Sequence, residues 1–473
     1  MARRLIVVSN RIPTDAEPSG GLVFAIHDAL SEEGGLWIGA HPDRARRPDD
    51  GLVDLDGASY QKKAFRLTEE EWRNYYLGYA NSVLWPLCHR RSDLIRYERA
   101  YADAYLAVNR RVARQVARLA GPDDLIWVQD YHFLPLAAAM RAEGVTARIG
   151  FFLHIPFPAL ADVDALPERD DLAGWIAAYD LVGLQTQADV ARCLEFFRAE
   201  PGGEPLFDGK MKYRDRVFSV RSFPIGIDAR AFAKTASVGG GEYLVNLGPR
   251  EDLVIGVDRL DYSKGLPNRF RAFGKFLDQQ EKGDRRASLL QIATPSREDV
   301  AAYQEIREEL EQLSGSINGK HAELDWTPIR YIHRGLPRDR LAVLYRVARV
   351  GLVTPLADGM NLVVKEYVAA QDPEDPGVLV LSRMAGAAEE LTEALLVNPY
   401  DIEEMALAID AALSMPRAER KRRHADLWKA VDEGCIAQWR RSYLRTLERA
   451  DRALSLPRHN ARSGSLAEWG PSR

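Results

Sequence analysis

The chain has 473 residues, with 64 Lys and Arg against 69 Asp and Glu for a net charge of −5, and is 46% hydrophobic and 28% charged. This balance excludes a disordered, collagenous or coiled-coil protein and lacks the basic excess of a nucleic-acid binder. No stretch approaches the roughly 18 uncharged apolar residues of a membrane helix, the apolar run 5–8 is too short for a signal peptide, and the scattered Cys88, Cys193 and Cys435 form neither a disulfide framework nor a zinc knuckle. A reducing cytoplasm is expected, with no membrane or nucleic-acid partner.

Short β-branched runs alternate with helical stretches from end to end, the pattern of parallel sheets built from βαβ units. Strands are predicted over 5–8, 125–128, 149–153 and 181–184, then over 253–257, 289–292, 329–332, 350–353 and 378–381. Helical patterns cover 23–33, 99–120 and 366–371. One parallel sheet rarely takes so many strands, so the fold class is α/β, with two Rossmann-like blocks facing across a cleft. The boundary is expected within Ser222-Phe223-Pro224-Ile225-Gly226-Ile227-Asp228, giving blocks 1–225 and 226–452, with a glycine turn at 239–241 just after it. The basic run Arg420-Lys421-Arg422-Arg423 reads as a solvated helical face. From 453 to 473 the mixture of Pro, Ser, Gly and charge predicts a flexible tail.

In open α/β sheets ligands bind beyond the carboxyl ends of the strands, so chemistry is sought in the segments that follow each one. Cations stand there at Arg11, Arg259, Lys264 and Arg297. There is no P-loop and no G-x-G-x-x-G after a strand, which disfavours P-loop phosphoryl transfer and hydride transfer. Arg259 and Lys264 on one loop suit a diphosphate without a metal. Asp358-Gly359-Met360-Asn361 opens a helix whose free amides suit an anion. Further along, Glu366 is placed either to accept two ribose hydroxyls or to pair with a nearby cation. Gly20 and Gly21 precede another helix, where turn chemistry explains them equally well. His154 follows a buried strand and is held by the stiff Ile155-Pro156-Phe157-Pro158. Tyr76 and Trp85 suit the aromatic wall of a sugar site or simple core packing. Asp54-Leu55-Asp56-Gly57-Ala58 imitates an aspartyl-nucleophile motif, but the polar residues before it favour a turn between edge strands.

Taken in order, Val8-Ser9-Asn10-Arg11, Asn81-Ser82-Val83-Leu84-Trp85-Pro86, Asp130-Tyr131-His132, Gly150 to Pro158, Arg259 to Leu266 and Asp358 to Tyr367 resemble the trehalose-6-phosphate synthases, retaining GT-B glycosyltransferases of family 20. The resemblance runs from Leu5 to about Leu447. It implies an acceptor-binding first block, a nucleotide-sugar-binding second block and transfer of glucose from UDP-glucose to glucose 6-phosphate. Position by position, it implies that His154, Arg259, Lys264 and Asp358 carry the chemistry. Gly20, Gly21, Asn361, Leu362, Val363 and Glu366 would join Arg259 and Lys264 in holding the donor, and Arg11, Tyr76, Trp85, Asp130 and Arg297 would hold the acceptor. It implies neither a metal nor another cofactor, and assembly as a homodimer or homotetramer.

The chain departs from the family pattern at three points. Ala40 stands where a Trp is usual, Gln129 where His is common, and Ala357 where Arg is usual. The first leaves room for a sister enzyme with another acceptor, such as a glucosylglycerol-phosphate synthase or a pseudo-glycosyltransferase. A non-catalytic synthase-like subunit is a rival of another class, which would predict loss of the Arg259, Lys264 and Glu366 set that is present.

Overall fold

The computed structural model describes residues 4–14, 21–56, 59–238, 251–280, 286–296 and 301–450. Among these residues the strands form two sheets. The first contains β1 (Leu5–Ser9), β2 (Gly35–Ala40), β3 (Val53–Leu55), β4 (Gln61–Phe65), β5 (Leu125–Gln129), β6 (Arg148–Phe152), β7 (Leu181–Leu184), β8 (Gly203–Pro205), β9 (Lys210–Tyr213) and β10 (Arg216–Ser222), in the order β3-β4-β2-β1-β5-β6-β7-β10-β9-β8. Its body from β4 to β10 is parallel; β3 and β9 run antiparallel to it at the two ends, and β8 pairs antiparallel with β9. The second sheet is parallel throughout, with β11 (Glu251–Arg259), β12 (Arg286–Thr294), β13 (Ile329–Ile332), β14 (Val350–Val353), β15 (Val378–Ser382) and β16 (Leu395–Val397) ordered β13-β12-β11-β14-β15-β16.

All the strands predicted from the sequence are present. β3 and β4 are the strands expected on either side of the 54–58 segment, and β2, β8, β9, β10 and β16 are additional. β2 reads Gly-Leu-Trp-Ile-Gly-Ala, too broken by glycine to stand out, and β3, β8 and β16 are three-residue edge pieces. Asp54 lies on β3 and pairs with Lys63 of β4, so the nucleophile-like motif begins on an edge strand, and its Gly57 and Ala58 lie outside the described residues. In β1 the side chains alternate, Ile6 and Val8 packing into one apolar cluster and Leu5 and Val7 into another, as a strand covered on both faces requires. The run 420–423 lies on the helix Arg417–Glu433, where Arg422 and Arg423 pair with Glu419, but Arg420 is buried against the Pro376 carbonyl, so the solvated face stops short of it.

The division expected at 225/226 needs one amendment, because the helix Ile436–Arg449 returns to the first sheet. Tyr443 Oη donates to the Phe151 carbonyl at 3.0 Å, and its ring lies 4.9 Å from that of Trp127. Gly150 and Gly183 make room for it, since a Cβ at either would fall within 2.6 Å of the Tyr443 side chain. The chain thus crosses between the sheets twice, at 225–227 and 434–435, and the crossings touch: Ile436 N–H donates to the Ile227 carbonyl at 3.2 Å. The glycine turn at 239–241 and the tail at 453–473 lie outside the described residues. No helix among the described residues is long and apolar enough to cross a membrane.

Candidate active site

Strand order reverses between β1 and β5 in one sheet and between β11 and β14 in the other, and a crevice opens where neighbouring connections leave in opposite directions. Arg11 and Asp130 follow the first pair of strands; Arg259 and Asp358 follow the second. These four residues, with Tyr76, Trp85 and His154, line one cavity of about 350 Å³ between the sheets.

Asp130 follows β5 with φ of 73°, a conformation that is rare away from glycine, and leads into the turn 131–133. Its Oδ1 accepts the His154 backbone N–H at 3.2 Å. The His154 ring lies between Gln129 Oε1, 2.9 Å from Nε2, and Gln185 Nε2, 3.5 Å from Nδ1. Burial depresses the imidazole to about 3, so the ring is neutral at ordinary pH.

On the side of the first sheet, Arg11 Nη2 donates to Tyr76 Oη at 3.2 Å. Tyr76 rides on a segment, Trp72–Leu84, whose backbone hydrogen bonds span five residues instead of four. Asn81 and Ser82 add side-chain bonds to the carbonyls of Tyr76 and Leu77, both at 2.8 Å, and Thr68 and Glu71 cap the start of the helix reciprocally. The Tyr76 ring is sandwiched by Trp72 at 4.0 Å and His132 at 5.7 Å, and the Arg44 guanidinium covers Trp72 at 3.9 Å. Trp85 faces Arg259, whose guanidinium lies 5.1 Å from the ring centre.

On the opposite side, Lys264 ends a short turn capped by Asp261, which accepts the Ser263 N–H at 2.9 Å. Gly265 follows with φ of 64°, and a Cβ there would lie 2.5 Å from the Thr354 carbonyl, so glycine is required twice over. Lys264 Nζ meets Asp358 Oδ2 at 2.5 Å, and Asn361 Nδ2 donates to the same oxygen at 2.9 Å. Burial pushes the Asp358 carboxyl up, but Lys264, His89 and Asn361 together outweigh it and hold it below the usual carboxylate range. Asn361, with φ of 78°, opens the helix Leu362–Ala370. Glu366 on that helix lies 3.4 Å from Arg338, and burial, partly offset by this arginine, raises its carboxyl.

Lys264 reaches the cavity through Asp358. Asn361, Leu362, Val363 and Glu366 stand behind it along the helix rather than on its wall. Gly21 begins the helix Gly21–Glu33. Gly20 and Arg297 lie outside the described residues. Sequence reading passed over Gln185, although it follows the predicted strand 181–184 directly, and also Trp37, which lines the cavity beside Ser9 of the strand-end segment 9–11. Among the described residues no group of three or more His, Cys, Asp or Glu is arranged to hold a metal ion.

Known proteins match the chain over nearly its whole length. A trehalose-6-phosphate synthase of Sodalis glossinidius is 44% identical over 451 residues, covering 94% of this chain and 96% of the relative. The Burkholderia xenovorans UDP-forming α,α-trehalose-phosphate synthase, solved with glucose 6-phosphate, superposes with a TM-score of 0.88 at 44% identity over 94% of this chain and all of the other. The Escherichia coli structure bound with UDP-2-fluoro glucose gives a TM-score of 0.88 at 42% identity, over 94% of this chain and 99% of the other. The two facing sheets are the GT-B arrangement of these neighbours. The model of Glycosyltransferase family 20 matches residues 4–449. That span takes in both sheets and the returning helix, and the chain belongs to this family.

Proposed function

We propose that the chain transfers glucose from UDP-glucose to glucose 6-phosphate with retention, releasing UDP and α,α-trehalose 6-phosphate. The observation that carries this reading is the meeting, on one cavity, of Arg11, Tyr76 and Asp130 from one sheet with Arg259 and Asp358 from the other. The names of the relatives, and the glucose 6-phosphate and UDP-2-fluoro glucose held by two of the solved neighbours, point the same way.

Arg259 and Lys264 are assigned to the donor diphosphate, together with the amides of Asn361, Leu362 and Val363 and with Gly20 and Gly21. Glu366 takes the ribose. Asp358 and His154 hold the glucose to be transferred; Arg11, Tyr76, Trp85, Asp130 and Arg297 hold glucose 6-phosphate. As the anomeric bond breaks, negative charge grows on the diphosphate, where the two cations stabilise it most. The departing phosphate oxygen takes the proton of the acceptor hydroxyl on the same face of the sugar, so no hydrolase-style pair of carboxylates is needed. His154 is neutral and positions rather than protonates. The short-lived ion pair demands exclusion of water, which closing of the two sheets around both substrates supplies.

The reaction is assigned no metal and no cofactor, because fixed cations do the work of one. The enzyme is assigned to the cytoplasm, in keeping with three unpaired cysteines, and to a homodimer or homotetramer, which light scattering tests. The decisive assay mixes the protein with UDP-glucose and EDTA, with and without glucose 6-phosphate, and follows UDP release and product NMR. Acceptor-dependent release of UDP with an α,α-linked phosphodisaccharide supports the reading. Release only with another acceptor would favour a sister enzyme, the reading that Ala40 keeps open.

A further inference from the structure

The polar contacts around His154 form a chain whose direction is set by the backbone. The Ile225 N–H, which cannot accept, donates to Gln185 Oε1 at 3.0 Å. This turns the other end of the carboxamide, the donor Nε2, toward His154 Nδ1 at 3.5 Å. Nδ1 is therefore the acceptor nitrogen of the neutral ring, and the proton sits on Nε2, 2.9 Å from Gln129 Oε1. Gln129 has then used its acceptor and keeps its NH2 group. The residue is 1% exposed, its Nε2 has no hydrogen-bond partner among the described residues, and it lines the cleft cavity beside His154 and Asp130. A buried donor left without a partner on the wall of a substrate cavity points to a group supplied by the ligand.

We propose that the Gln129 carboxamide donates a hydrogen bond to a hydroxyl of the hexose bound against His154, and that the chain Ile225–Gln185–His154–Gln129 fixes both the imidazole tautomer and the orientation of that donor. The inference rests on the transferase reading above and adds to it a residue that selects its sugar. It also ties the cleft to the junction between the sheets. Ile225 lies on the first crossing, and its carbonyl accepts from Lys365 Nζ of the second block at 2.9 Å. A shift at the junction would therefore be felt at the sugar.

Two measurements test the proposal. The first is a nitrogen NMR spectrum of histidine-labelled protein without substrates, the His154 signals being identified by their loss in His154→Asn. The Nε2–H tautomer is expected; the Nδ1–H tautomer would overturn the chain. The second compares kcat/KM of wild type and Gln129→Leu on UDP-glucose and on each of its monodeoxyglucose analogues. Gln129→Leu should lose about 10- to 100-fold on UDP-glucose, the range for stranding one buried polar group. With one analogue the gap should close to within about threefold, because the hydroxyl and the amide are then both gone. Losses that simply add with every analogue, as when Gln129 only supports the fold or holds a water, sink the idea. Gln129→Glu, which still accepts from His154 but has no NH2 to donate, repeats the test if the leucine variant fails to fold. Wild-type turnover with UDP-glucose and glucose 6-phosphate is read first. Its absence refutes the transferase reading, while the tautomer, measured without substrate, still decides the chain.

Discussion

The main chain of Gly359 abuts the carbonyl oxygen of His154 across the cleft, and a Cβ at 359 would lie 2.2 Å from that oxygen. The loops that carry Asp358 and His154 come from different sheets, and they approach this closely only because position 359 has no side chain. Gly359→Ala should hold the two loops apart by close to an ångström and cost about 10²-fold in kcat, the usual penalty for such a misplacement. Steady-state kinetics checks the rate, and thermal unfolding should stay close to wild type, since the clash is relieved by opening the cleft.

Lys264→Ala should lower kcat by about 10²- to 10³-fold, as expected for loss of a fixed charge that faces a developing anion. It also leaves Asp358 buried with Asn361 as its remaining hydrogen-bond donor, so burial then prevails and the carboxyl rises. A pH–rate profile of the variant should show an acid limb displaced to higher pH than in wild type; superimposable limbs would contradict the coupling.

Trp72→Leu removes one face of the sandwich around Tyr76. Aromatic pairs contribute about 0.5–1.5 kcal/mol beyond buried area, so KM for glucose 6-phosphate should rise roughly 2- to 10-fold. KM for UDP-glucose should not move, and Trp72→Phe should recover most of the loss.

Burial holds His89 at about 4 and His154 at about 3. In the unfolded chain each titrates near 6.5, so between those values the unfolded state binds protons that the native state refuses. Their contribution is fully present above about pH 6.5 and is lost as pH falls toward the depressed native values. The urea midpoint should therefore drop between pH 7.5 and 5, and His89→Asn should flatten part of that slope. Equal slopes in the two proteins would show that His89 titrates normally.

Strands 181–184 and 350–353 are legible to the residue because each is a short, fully buried, apolar run bounded by polar residues, while 329–332 is legible by its β-branched ends although only Ile329 is buried. The strand-end rule then found Arg11, Asp130, His154, Arg259 and Asp358, all on one cavity. It equally covers Gln185, which follows 181–184 directly. The five-residue hydrogen-bond period under Tyr76 leaves no mark in the pattern of apolar residues. Trp439, Tyr443 and Leu447 show that the last helix has an apolar face, since they recur at four-residue spacing, but such spacing does not say which sheet receives it. Tertiary contact alone decides that.

The return of that helix makes the first folding unit discontinuous in sequence. Trp127 and Phe152 are covered by Trp439 and Tyr443, so a fragment ending at residue 225 would expose an aromatic patch that invites aggregation. Mixing an acceptor half from one relative with a donor half from another therefore calls for two splice points rather than one. The segment after Gly434 has to travel with the half that precedes Gly226, and a chimera joined only at the first crossing inherits a lid cut for a different sheet.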